Sequence, residues 1–113
     1  FDTLARHGVG HVYNQWQRMP SLAAQLKLRI PDRETSPTGS RLLLKCGRDY
    51  DSAVESFTPY DRMQDPQVET RKAAVTLLEP LQQQPPARRA YLYVNNRLEG
   101  NALATIQAIL RLL

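Results

Sequence analysis

Apolar positions fall in short runs and stripes separated by proline, glycine and polar breaks, and their spacing switches between strand and helix periods along the chain. Residues 3–7 read as the end of a helix closed by Gly8 in a left-handed cap, followed by a strand over residues 9–14 that Gly10 weakens. Leu22, Gln25 and Leu26, with Pro20 just ahead, mark a short helix over residues 21–28. Residues 30–40, IPDRETSPTGS, carry loop chemistry. A second strand is predicted at residues 41–46, RLLLKC, broken by Gly47, and Ala53, Val54 and Phe57 fit a short helix. Asp65 as cap and Pro66 in the first turn open the next helix, whose buried stripe is Ala74, Val75, Leu77, Leu78 and Leu81 and which should end or kink near Pro80. Residues 82–87 form a connector, residues 90–95 a third strand, and Leu103, Ile106, Leu110 and Leu113 one face of a final helix.

This alternation predicts an α/β protein with parallel strands joined by helical crossovers. The run Tyr91, Leu92, Tyr93, Val94 has no polar break, as expected for a strand buried on both faces. It stops at Asn95, Asn96 and Arg97, so a polar cluster stands at the strand's carboxyl end, where open α/β sheets and β/α barrels place ligands. Three parallel strands alone leave both sheet edges open, which predicts oligomerisation or strand exchange for the isolated chain.

At 113 residues the chain suffices for one domain. Its charge of +4, from 15 basic and 11 acidic residues, is spread along the chain; this suits an anionic ligand and falls short of a nucleic-acid signature. The single cysteine, Cys46, excludes an internal disulfide and points to a reducing cytoplasm. There is no secretory signal and no apolar run of membrane-span length, although a targeting segment could precede Phe1. His7 and His11 have the spacing of helical metal ligands, but Gly8 and Gly10 intervene and the pair falls at the far end of the first strand, so no metal site is assigned. Nothing in the chain names a cofactor.

Three segments, HGVGHVYNQWQRMPSL at 7–22, RLLLKCGRDYDSAVESFTPYD at 41–61 and YVNNRLEGNALATI at 93–106, resemble the YecE-like proteins, a family built on a domain of unknown function. The resemblance implies a (β/α)8 barrel, of which this chain would be the carboxyl-terminal part with about three β/α units, strands six to eight; a complete barrel takes about 250 residues. Two positions depart from the family pattern. Lys45 stands where many relatives carry arginine, replacing a two-pronged anion contact by a point charge, and Leu103 stands where many carry proline. The family implies no established activity.

The rim of such a barrel would gather Asn14, Trp16 and Arg18 after the first strand, Lys45 and Arg48 after the second, and Asn95, Asn96, Arg97, Glu99, Gly100 and Asn101 after the third. Loops after the last two barrel strands often bind phosphate. One reading has an anion held there, with Lys45 as charge partner, Asn95 and Asn96 orienting it, Glu99 as base or acceptor, and Gly100 letting the ligand approach the free amides of the last helix. The other has the asparagines tying loops together and Glu99 paired with Arg97 or Arg18. Trp16 is a stacking wall or, by its size, a core anchor, and Tyr50, Phe57 and Tyr60 are better read as loop packing. Cys46 lacks a histidine base and reads as a buried structural residue. The corresponding functions are an enzyme acting on a phosphorylated or other anionic substrate, nucleic acid being one such class, or a non-catalytic ligand- or nucleic-acid-binding module, or a structural fragment without activity of its own.

Overall fold

The computed structural model describes residues 2–28, 37–83 and 89–113. Elements follow in the order α1 (Asp2–Arg6), β1 (Val12–Gln15), α2 (Leu22–Leu26), β2 (Thr38–Leu42), α3 (Tyr50–Phe57), α4 (Val68–Gln82), β3 (Ala90–Val94) and α5 (Ala102–Leu110). The three strands form a parallel sheet in the order β1-β2-β3, with Asn14 beside Arg41 and Arg41 beside Tyr93. The predicted α/β alternation is therefore present. Among the described residues no helix is long and apolar enough to cross a membrane.

The core lies on one face of this sheet. Leu42, with Tyr13, Leu92 and Val94, packs against Leu22 of α2, Ala73 and Ala74 of α4, Ile109 of α5, and Leu98. Because side chains alternate along a strand, Val12, Asn14, Gly39, Arg41, Tyr91 and Tyr93 occupy the opposite face. That face is open: Tyr93 is 59% exposed, and Val12 and Tyr91 on the same face are exposed as well. The expectation that residues 91–94 are buried on both sides is not met in this chain, because among the described residues no element covers the face that carries Tyr91 and Tyr93. The run is in fact an alternating strand with Leu92 and Val94 inward.

Element boundaries moved where tertiary or capping bonds outrank local signals. Gly8, at φ 70°, closes α1 as expected, and Gly8 and Val9 donate back to Ala5 and Leu4, so the cap consumes the start of the strand predicted at residues 9–14. β2 begins three residues before the predicted strand, within the stretch read as loop. Pairing with β3 from Thr38 and with β1 from Gly39 draws these residues and Ser40 into the sheet, and Leu43 and Leu44 then both donate to the Gln15 carbonyl instead of continuing it. The remainder of that loop and most of the connector before β3 lie outside the described residues.

The helices show similar shifts. α3 is capped by Asp49, whose carboxylate accepts from the Ser52 amide at 2.8 Å, and closes a small cluster of Leu44, Ala53 and Phe57 with Tyr60. α4 is not capped by Asp65. It starts at Val68 after Gln67, whose amide donates to the carboxylate of Glu99, and it runs two residues past Pro80. Its buried positions are Thr70, Ala73 and Ala74, with Val75 and Leu78 only partly covered. α5 buries Thr105 and Ile109, whereas Leu103, on the predicted buried face, is 72% exposed. A polar residue at a core position turned that helix relative to its apolar stripe.

Polar joints complete the packing. The Gln15 side chain donates to Thr70 Oγ1 at 3.0 Å and accepts from the Leu22 amide at 2.9 Å, linking β1, α2 and α4. Gln25 of α2 bonds both the amide and the carbonyl of Asn14.

Candidate functional site

Backbone hydrogen bonds hold the segments leaving the carboxyl ends of the strands on one rim. The Asn95 amide donates to the Leu42 carbonyl at 2.9 Å, and the Gly47 amide to the Gln17 carbonyl at 3.0 Å. The third segment is braced by its own asparagines. Asn95 Oδ1 accepts from the Arg97 amide at 3.0 Å and Asn96 Oδ1 from the Ala102 amide at 2.8 Å. Asn101 caps α5 by accepting from the Ala104 amide at 2.9 Å, while its side-chain amide donates to the Tyr60 carbonyl at 2.8 Å. Two of the donors at the start of α5 are thus already taken. Gly100, at φ 109°, faces the backbone of Arg62 and Gln64, so its lack of a side chain serves the approach of another loop.

Glu99 is the centre of this bracing and is fully buried. Arg71 of α4 grips it with Nε at 2.9 Å from Oε1 and Nη2 at 2.8 Å from Oε2, a two-pronged ion pair. Thr105 Oγ1 donates to Oε2 at 2.7 Å and the Gln67 amide to Oε1. Its partner is therefore neither Arg97 nor Arg18, and its oxygens face protein donors instead of the rim solvent. Arg71 was not singled out from the sequence, since nothing local relates residues on α4 to a loop that follows β3.

The cations are arranged differently. Lys45 Nζ lies 3.3 Å from Asp65 Oδ2, and Arg48 Nη2 reaches the same oxygen. The Arg48 guanidinium also covers the Phe57 ring, 4.8 Å from its centroid, and its Nη1 is enclosed without a hydrogen-bond partner, as is Asn14 Oδ1. Arg97 lies over Tyr50 at 4.4 Å. Trp16 is exposed, so it is not the core anchor its size suggested; Arg18 is exposed as well. Cys46 is half-buried, and burial pushes its thiol up, away from the thiolate a nucleophile needs. Lys45, Arg48 and Arg97 supply the positive charge of the segments that follow β2 and β3.

Burial alone would raise the carboxyl of Asp65, but hydrogen bonds from Arg48 and Lys45, with their charges, bring it below its ordinary value of 3.8. A carboxyl depressed by folding stabilises the native state above its unfolded pKa, and that contribution is lost as pH falls through the lower folded value. Thermal unfolding followed from pH 6 down to about pH 2 should therefore show a loss that Asp65→Asn reduces. Identical acid slopes for the two proteins would show that the pair does not stabilise the fold.

No family model, curated protein or solved structure matches this chain. The assignment of a function thus rests on the site itself.

Proposed function

We propose that this chain is the carboxyl-terminal part of a YecE-like β/α barrel and that its rim binds an anionic, phosphate-class ligand. Sequential strand order with the core on one face supports the barrel half of this reading, because a closed barrel winds its helices on one side only, whereas doubly wound sheets reverse their order and cover both. The observation that carries the ligand half is the pairing of two cations, Lys45 and Arg48, with the single carboxylate of Asp65 at the end of β2. An incoming anion would meet charge left unmatched there, together with the amide groups of Asn95 and Asn96. Binding is favoured over catalysis by Glu99, since that carboxylate is spent on Arg71, Thr105 and Gln67. In the enzyme form of this reading, acid and base groups would come from strands outside this chain.

Titration with inorganic phosphate, followed by amide NMR shifts, tests the rim. Shifts should concentrate at Gly47, Asn95 and Asn96. Lys45→Ala should weaken binding about ten-fold, the worth of one hydrogen bond to a charged group. Asp65→Asn should strengthen it, because it releases both cations, whereas mere damage to the loop would weaken it. Absence of shifts at about 10 mM phosphate, an affinity below roughly 3 kcal/mol, sinks the proposal.

A further inference from the structure

The face of the sheet turned away from the helices is open in this chain and would line the interior of a closed barrel; in the layer nearest the rim, one residue before the carboxyl ends of the strands, it carries Asn14 on β1, Arg41 on β2 and Tyr93 on β3, placed side by side by the strand register. Neighbouring strands lie about 4.8 Å apart, so an amide, a cation and an aromatic ring follow one another over roughly 10 Å. Arg41 is exposed and has no carboxylate partner among the described residues, unlike Lys45, Arg48 and Arg71. Tyr91 lies in the next row beside Gly39, over which the Val12 side chain leans, with Cγ2 3.2 Å from where a Cβ on Gly39 would stand. Trp16, directly after β1, is exposed as well. Exposed aromatic rings next to an arginine with no carboxylate partner among the described residues make a surface suited to stacking a flat ring while the cation meets its phosphate, as on sheets that bind nucleic-acid bases.

Resting on the rim reading above, we infer that the anionic ligand is a nucleoside phosphate. Its base stacks on Tyr93, and its phosphate lies between Arg41 and the rim cations. Lys45 follows Arg41 by four residues, at most about 13 Å along an extended chain, within the reach of a nucleoside monophosphate. A bare phosphate would use only the rim, and a bare nucleoside only the ring surface. The nucleotide uses both, which is why it should bind most tightly of the three.

The test compares inorganic phosphate, adenosine and adenosine monophosphate on the full chain, followed by quenching of Trp16, the single tryptophan, and by amide NMR shifts. The monophosphate should bind at least about ten-fold more tightly than phosphate, since stacking on one aromatic residue is worth about 1–3 kcal/mol. Tyr93→Ala should remove that gain, Tyr93→Phe should keep it, and Arg41→Gln should weaken the monophosphate without changing adenosine. Thermal unfolding of each variant separates lost binding from lost fold. If phosphate binds and the monophosphate binds no better, the nucleotide assignment is overturned while the rim stands. If none of the three binds, both readings fall.

Discussion

Glu99→Ala should destabilise the protein by about 3–5 kcal/mol, the cost of removing one member of a buried ion pair and leaving the other uncompensated. Arg71 is largely buried and would keep its charge with no partner, while Thr105 and the Gln67 amide would lose their acceptor. Against a typical total of about 5–15 kcal/mol, the loss would leave the domain close to unfolding. Glu99→Gln retains the shape and one acceptor oxygen and should cost less, while Thr105→Ala, which removes one neutral donor, should cost about 1 kcal/mol. Replacing both charges, as in Arg71→Met with Glu99→Met, should cost less than Glu99→Ala alone, because no charge is then stranded. Urea unfolding of the four variants measures these terms, and a loss below about 1 kcal/mol for Glu99→Ala would remove Glu99 from its place at the centre of the loop.

This role was hidden in the sequence for a physical reason. A carboxylate beside Asn95, Asn96 and Gly100 at the end of a strand looks the same whether it faces a ligand or a guanidinium, and Arg71 is 28 residues away on another element. Parallel alternation of strands and helices was legible because it depends on local periods, and so was the gathering of polar residues after the strands. The faces were less so. Tyr91 and Tyr93 disguised an alternating strand as a buried one, and Thr105, a polar residue in the core, placed Leu103 outward instead. Nothing within RLLLKC sets Arg41 apart, because its neighbours in the sheet, Asn14 and Tyr93, come from the strand register alone. Asp65 illustrates the same limit: its position before Pro66 suits a helix cap, yet two cations from the loop after β2 claim it.

Gly100→Ala should cost about 3 kcal/mol, near the upper end for a residue held in a sparsely populated backbone region. At φ 109° an L side chain is strained, and a Cβ there would stand 2.7 Å from the Arg62 carbonyl oxygen and 3.1 Å from the Gln64 nitrogen. Both neighbours are backbone, so neither can swing aside as a flexible side chain would. Gly47→Ala provides the control: its φ of 80° is also left-handed, but nothing lies within 4 Å of the added carbon, and the cost should stay near 1–2 kcal/mol. The difference between the two, read by urea unfolding, measures how tightly the loop after β3 is pressed against the segment before α4. Equal costs would mean that the segment before α4 yields to the added carbon. The contact matters beyond stability, because the amides of Gln64 and Asp65 both donate to the Glu99 carbonyl at 2.7 and 3.1 Å. Moving that segment moves Asp65, and with it the carboxylate that holds Lys45 and Arg48. Gly100→Ala should therefore also change phosphate affinity at a rim its own side chain never touches, whereas Gly47→Ala should change phosphate affinity only through the local turn that follows Lys45.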